Sequence, residues 1–342
     1  MSAPCPQKVL FVWIGRLGDL MVSTPFIVAF RARFPQARIT LMVRNCSSEL
    51  ATAVPGVDRV ITFPSLSKPG AVFRFLAHYL FSRYDCCVDL NAAYSRTSGL
   101  LCRFSGAGRR VSFKKKLHGK FYTEVIAEPE EKEHFSDRYA RLAAHFGADY
   151  VPGMKLEPSR AARAEADRRA ELLGIKGTNF NILVHPGNFR KTEHRWPREK
   201  FIALTGLLLE EPGNRVFYFA GPGETRPVEE MLARLPAGQV TLITAMHPAV
   251  FAALAAKFQL MIVSATGPMH IASAMGVPLL TFNSEYSWQC WRPLTGLCRN
   301  LHSGDWRTCR TISVEEAYAA CQLLRKMLPE QGPQNSGPAS GG

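Results

Sequence analysis

Short apolar runs alternate with amphipathic stretches along most of the chain. Val9-Leu10-Phe11-Val12-Trp13-Ile14 is apolar throughout, the pattern of a strand buried on both faces of a sheet. Thr24-Pro25 then predicts an N-cap followed by proline at the first helical position, with a helix to about Phe34 closed by Pro35. Arg38 to Val43, Arg59 to Phe63 and Cys86 to Leu90 read as strands, and Ala71 to Ser82 as a helix. Such alternation predicts βαβ units and a parallel sheet.

The middle of the chain breaks the rhythm. Arg109 to Lys116 is basic and Glu128 to Glu133 acidic. A helical pattern over Asp137 to Phe146 ends at Gly147, and an Ala/Arg/Glu-rich helix over Ala161 to Leu173 leads into the second half.

There the alternation restarts. Strands are predicted at Phe180 to Val184, Val216 to Ala220, Val240 to Thr244, Leu260 to Val263 and Pro278 to Phe282. Helices are predicted at Lys200 to Leu209, Val228 to Leu235, Pro248 to Lys257, from Thr266 to about Met275, and at Val314 to Leu328. The expected fold is α/β, with two Rossmann-like domains facing across a cleft. Residues 1–170 form the first domain and 171–330 the second, and the Gly/Pro/Ser-rich stretch 331–342 is a disordered tail.

The 342-residue length suits two domains, and 46% hydrophobic with 20% charged residues excludes wholesale disorder and coiled coil. A net charge of +14 points to an anionic partner: phosphate, an acidic membrane surface or nucleic acid. Interleaved aromatics at the spacing of nucleic-acid modules are absent, so a nucleic-acid partner is not expected. Nine scattered cysteines without a CxxC pair suggest reduced thiols rather than zinc or disulfides. The apolar run at Val9 to Ile14 is too short for a secretory signal, and no apolar stretch is long enough to span a membrane. These features lead us to expect a cytoplasmic protein.

Four turns at predicted strand ends carry candidate chemistry, since ligands of open α/β sheets sit at the carboxyl ends of strands. Gly15-Arg16-Leu17-Gly18-Asp19 allows close approach of a ligand to backbone, and Asp19 can act as a base in the cleft or cap the next helix. Ser264-Ala265-Thr266-Gly267-Pro268-Met269-His270 opens a helix whose first N–H groups can hold an anion, unless His270 and Gly267-Pro268 are structural punctuation. Asn188 to Trp196 gathers Arg190, Lys191, His194 and Arg195 as a diphosphate clamp or a solvated basic loop. Glu224, after Gly221-Pro222-Gly223, can accept ribose hydroxyls or simply start a helix. Asp89 and Asn91 end another strand and are candidates for the acceptor side, as is the basic stretch with Arg103, Arg109, Arg110 and Lys114 to Lys116. HExxH, GxSxG, Walker A and DxD motifs are all missing.

Taken in order, VLFVWIGRLGDLMVSTP (Val9 to Pro25), LVHPG (Leu183 to Gly187), RWP (Arg195 to Pro197), FAGPGE (Phe219 to Glu224) and TGPMHIASAMGVP (Thr266 to Pro278) resemble glycosyltransferase family 9, the bacterial lipopolysaccharide heptosyltransferases of GT-B fold. The resemblance implies inverting, metal-independent transfer of heptose from ADP-heptose to the Kdo or heptose region of the lipopolysaccharide inner core, without a cofactor. It also implies work at the cytoplasmic face of the inner membrane on an anionic glycolipid acceptor. By motif position Asp19 is the base. Thr266, Gly267, Pro268, Met269, His270, Glu224, Asn188, Lys191, His194 and Arg195 belong to the donor side. Arg16, Gly18, Asp89, Asn91, Arg109 and Arg110 belong to the acceptor side. The chain departs from the family pattern at His194, where lysine is usual, and at Ala265, where aspartate is common. Another nucleotide-sugar donor or acceptor, or nucleotide-sugar binding without transfer, are the alternatives.

Overall fold

The computed structural model describes residues 5–44, 48–65, 67–127, 132–187, 189, 195–294 and 296–328. Two parallel six-stranded sheets form its frame. The first is built from β1 (Lys8–Trp13), β2 (Arg38–Arg44), β3 (Arg59–Phe63), β4 (Cys86–Asp89), β5 (Arg109–Phe113) and β6 (Glu124–Ile126). The second is built from β7 (Phe180–His185), β8 (Asn214–Phe219), β9 (Val240–Ile243), β10 (Leu260–Ser264), β11 (Leu279–Asn283) and β12 (Cys298–His302).

Helices of the first half are α1 (Leu17–Arg33), α2 (Ser48–Ala51), α3 (Pro69–Phe81), α4 (Arg96–Arg103), α5 (His118–Phe121) and α6 (Phe135–His145). α7 (Arg160–Leu172) follows and packs against α10 (Pro248–Ala255) of the second half, where Asp167 pairs with Lys257. The second sheet also carries α8 (Arg198–Leu209), α9 (Thr225–Leu232), α11 (Gly267–Ala274), α12 (Glu285–Trp291) and α13 (Val314–Met327).

The strand orders are β3-β2-β1-β4-β5-β6 and β12-β11-β10-β7-β8-β9, which is one Rossmann order used twice. Strand order reverses between β1 and β4 in one sheet and between β7 and β10 in the other, so the crevices at their carboxyl ends are the natural ligand sites. The central strands are buried on both faces, as their unbroken apolar runs require.

Each sheet has its own outer core: Leu10, Val12, Tyr79 and Cys102 on the first, Ile182, Trp196, Phe201 and Tyr218 on the second. Their inner faces share one continuous core that joins residues of both halves. Within it Phe26 and Phe30 of α1 pack on Phe11 of β1 at 5.4 and 5.1 Å between ring centroids, and Phe30 also meets Phe146 at 5.1 Å. The segment between α6 and α7 threads this seam: the Lys155 N–H donates to Thr24 Oγ1, and that of Leu156 to the Ala274 carbonyl.

The first helix differs from expectation. It begins at Leu17, so Thr24 is not its N-cap and Pro25 lies inside it. A proline there has no N–H for the Met21 carbonyl four residues back. The Thr24 hydroxyl donates to that carbonyl at 2.7 Å, and the Ser23 hydroxyl to the Leu20 carbonyl at 2.7 Å. Side chains thus satisfy the carbonyls around the break, and the helix runs on. Among the described residues no helix is long and apolar enough to cross a membrane, and the described cysteines are unpaired thiols. The expected tail at 331–342 lies outside the described residues.

Candidate active site

Where β1 ends, the chain turns sharply through Gly15 into α1. The Trp13 indole N–H donates to the Arg16 carbonyl at 3.0 Å, which lays its ring across the turn. A β-carbon on Gly15 would stand 2.4 Å from that ring, so only glycine fits. Arg16 is the backbone cap of α1, which puts Asp19 in the first helical turn rather than at the cap. No hydrogen bond to the Asp19 carboxylate is found among the described residues. Burial raises its pKa above the usual carboxylate value, against the lowering effect of the Arg16 guanidinium.

Asp19 lines a cavity of about 580 Å³. Its walls come from the ends of β1 and β4 (Trp13, Gly15, Asn91, Ala92, Ala93, Tyr94), the segment after β5 (Lys114, Lys115, Lys116), α6 (Phe135, Arg138, Tyr139) and Trp291 of α12. Trp291 is the second half's share, and its ring stacks on Phe135 at 3.5 Å between centroids and 25° between planes. Beside this stack His134 Nε2–H donates to the Arg292 carbonyl at 2.9 Å, while His134 Nδ1 accepts the Ser136 N–H and caps α6. The two halves therefore touch directly at the rim of the cavity.

Asn91 bridges the switch point of the first sheet. Its Oδ1 accepts the Ile14 N–H, and its Nδ2 donates to the Val12 carbonyl and to Asp89 Oδ1. Asp89 is fully buried and serves the wall instead of facing an acceptor. Its Oδ2 accepts from Ser98 Oγ at 2.8 Å, Lys115 Nζ at 2.9 Å and the Tyr122 hydroxyl. Lys115 also donates to the Asn91 carbonyl at 2.6 Å, fixing the backbone on either side of Lys114 and Lys116. Arg109 and Arg110, expected on the acceptor side, are not brought to the site. They are the first residues of β5 and lie at the amino-terminal end of the sheet, away from the crevice. Arg109 pairs with Glu124 at 2.7 Å, and Arg110 donates to the Ala107 and Phe121 carbonyls.

The second half meets the site through α11. Gly18 lies against Gly267 at the first turns of their two helices, with the backbones in contact. Thr266 is the N-cap of α11 and its hydroxyl donates to the Ser264 carbonyl at 3.1 Å; Pro268 occupies the first turn. Met269, expected on the donor side, has its side chain in the shared core, and its N–H donates to the Thr266 carbonyl. His270 is buried with Nδ1 unpartnered among the described residues, and burial, aided by His134, lowers its pKa to about 4. Ser264 Oγ donates to the Pro186 carbonyl at 2.8 Å and ties the ends of β7 and β10 together.

Arg195 is buried beside this crevice and donates to the Gly187 carbonyl at 3.1 Å. Trp196 is a core anchor, stacked on Phe282 at 3.9 Å with its N–H on the Ile312 carbonyl. Glu224, at the carboxyl end of β8, accepts the Gly221 N–H at 3.0 Å and lies 3.9 Å from His185. Asn188, Lys191 and His194 lie outside the described residues. Sequence reasoning missed Trp291, Phe135 and Arg138, because α12 has no periodic signal and α6 reads as an ordinary amphipathic helix.

Two Rossmann-like halves, with an acid of one set against a helix start of the other, have the GT-B arrangement. The signature of glycosyltransferase family 9 (heptosyltransferase) matches residues 72–317, and the chain belongs to that family. It is 25% identical over 310 residues to lipopolysaccharide heptosyltransferase 2 of Escherichia coli K12, covering 86% of this chain and 87% of that one. The glycosyltransferase family 9 structure from Veillonella parvula superposes with a TM-score of 0.84 at 18% identity over 94% of this chain and 98% of that one. The E. coli heptosyltransferase WaaC with ADP-2-deoxy-2-fluoro heptose gives 0.72 at 17% identity, over 94% of this chain and all of that one.

Proposed function

We propose that the protein transfers heptose from ADP-heptose to an inner-core lipopolysaccharide acceptor by a single in-line displacement with inversion. The acceptor hydroxyl attacks the anomeric carbon, the bond from that carbon to the diphosphate oxygen breaks, and the Asp19 carboxylate takes the hydroxyl proton. The start of α11 and Arg195 offset the charge that develops on the departing ADP, so electrostatic stabilisation comes from the chain and not from a metal ion. Asn91 and the backbone around Lys114 and Lys116 shape the acceptor side, whose cations suit Kdo carboxylates.

One observation carries this reading: Asp19, with a carboxylate held partly desolvated, opens on the cavity while its neighbour Gly18 touches the start of α11. Base and anion cradle thus sit on either side of one contact. The donor assignment draws on family membership and on the ADP-sugar in the E. coli WaaC structure. Peripheral association with the cytoplasmic face of the inner membrane follows from the acceptor class.

The test is incubation with ADP-heptose and Kdo2-lipid A or a heptosylated core, in EDTA, followed by mass spectrometry. A gain of one heptose is expected. No gain with any core acceptor, alongside turnover of another nucleotide sugar, would redirect the donor, and Ala265 is where that change would originate.

A further inference from the structure

The short helix α12 has the sequence EYSWQCW, which places Tyr286, Trp288 and Trp291 within two turns. Trp288 is taken up by its own surroundings, stacked on His302 at 4.5 Å between centroids with the Arg292 guanidinium over its ring. Trp291 and Tyr286 instead continue outward from the cavity. The Trp291 indole N–H donates to the Tyr286 hydroxyl at 3.4 Å, and the Tyr286 ring meets that of Trp306 at 5.5 Å between centroids and 63° between planes. An aromatic row thus runs from Phe135 at the cavity rim through Trp291 and Tyr286 to Trp306. The first half accompanies it to the end: Lys132 Nζ stands 5.2 Å from the centre of the Trp306 ring.

The outer pair is exposed, Tyr286 by 39% and Trp306 by 38%, yet it is held firmly. The Glu285 N–H donates to the Asp305 carbonyl at 2.7 Å, which ties the turn carrying Trp306 to the start of α12. Asp305 Oδ1 closes that turn by accepting the Arg307 and Thr308 N–H groups at 2.8 and 2.9 Å. Glu285 also takes the Gln289 amide at 2.7 Å and His302 Nδ1 at 3.0 Å. Single exposed apolar residues are ordinary. A braced aromatic pair that continues a cavity wall is not, because fixed Tyr and Trp rings offer contact area at little cost in conformational entropy.

We propose that Tyr286 and Trp306 form a saccharide subsite that receives a sugar of the acceptor lying beyond the one attacked. The apolar face of that ring packs on the two aromatics, while Lys132 and the Tyr286 hydroxyl serve its oxygens. A saccharide suits this row better than a protein or a lipid, since polar groups enclose it on the α12 side and it opens directly into the cavity beside Asp19. The proposal rests on the reading of that cavity as the acceptor side. It adds that the acceptor reaches this protein already extended, so an earlier glycosyl transfer supplies it.

The experiment is ¹⁹F NMR of the full chain carrying 5-fluorotryptophan, whose five indoles are assigned by single Trp→Phe variants. Two lipid-free probes are titrated without donor: a Kdo disaccharide, and a deacylated core that also carries heptose. The longer probe should shift the Trp306 resonance and bind about tenfold or more tightly than the shorter one. Trp306→Ala should bring the longer probe down to the affinity of the shorter, and Trp306→Phe should restore most of the difference, with thermal midpoints showing that both variants fold. Equal affinity of the two probes for the parent, a silent Trp306 resonance, or a preference that survives in Trp306→Ala overturns the proposal. Heptose transfer is read separately by mass spectrometry. Transfer with a silent Trp306 removes the subsite and leaves the heptosyl reading, whereas a shifted Trp306 without transfer keeps the subsite and removes that reading.

Discussion

Gly18 of α1 and Gly267 of α11 meet backbone to backbone, but the contact is not symmetric. A β-carbon on Gly18 would stand 2.5 Å from the Gly267 Cα, whereas one on Gly267 would find the Gly18 Cα at 3.7 Å. The first is a clash with backbone, which cannot swing aside, and the second is ordinary contact.

Gly18→Ala should therefore cost about 1–3 kcal/mol of stability, in the range of over-packed sites, and lower the transfer rate by pushing the two crevices apart. Gly267→Ala should leave the thermal midpoint close to that of the parent. Gly70→Ala in α3, whose β-carbon meets nothing within 4 Å, serves as the control. Calorimetry on the three variants gives the order, and an equal loss for Gly18→Ala and Gly267→Ala would refute the asymmetry.

Asp19→Asn keeps the shape of the side chain and removes the base. The transfer rate should fall on the order of 10²–10⁴-fold with little change in donor binding. Because burial raises the folded-state pKa of Asp19, the folded chain binds its proton more tightly than the unfolded one does. Stability from that proton is present below the unfolded pKa and lost as pH rises through the folded value. At pH 7 the ionised form is thus a burden, and Asp19→Asn should melt at a higher temperature than the parent. A variant that is both slower and less stable would argue that Asp19 is a structural residue.

His270 has the opposite sign. With its folded pKa lowered to about 4, the neutral ring is the form that packs. Its contribution is present above the unfolded value near 6.5 and is lost as pH falls from there toward 4, up to roughly 3 kcal/mol. His134 and His185, also lowered by burial, add to the same trend. Denaturant unfolding between pH 7 and 4 should show the decline, and His270→Gln should make it shallower.

The Asp89 and Lys115 side chains are only 0% and 5% exposed, so neither charge can turn to water when the other is removed. Lys115→Met should cost about 3–5 kcal/mol, and Asp89→Asn added to it should recover part of that loss. Non-additivity in this double-mutant cycle is the quantity to measure.

Much of the frame was legible because buried parallel strands announce themselves as unbroken apolar runs: Arg59–Phe63 matches its strand end for end, and Phe180 and Leu260 begin theirs as read. The start of α1 was not, since Thr24-Pro25 has the form of a helix opening and only the tertiary fold shows hydroxyls filling the proline gap. In the site, glycine turns at strand ends exposed Asp19 and the 264–270 loop to inspection. Charge alone could not rank the cations: Arg109 and Arg110 differ from Lys114 and Lys116 only in which end of β5 they occupy, and that is fixed by strand direction. Trp291 was invisible because its partner Phe135 lies 156 positions away in the sequence, beyond the reach of any local pattern.

One rod of helix holds Asp19 at its tip and Phe26 and Phe30 in the aromatic cluster with Phe11 and Phe146, roughly 10 and 16 Å further along by helical rise. The seating of those rings sets where the tip of the rod comes to rest. Trimming Phe30 to leucine, deep in hydrocarbon and remote from any sugar, would let the rod slide or tilt. A genetic screen for slow transfer should therefore return lesions in this interior as readily as lesions at the crevice, and folded but sluggish enzyme is how they would present.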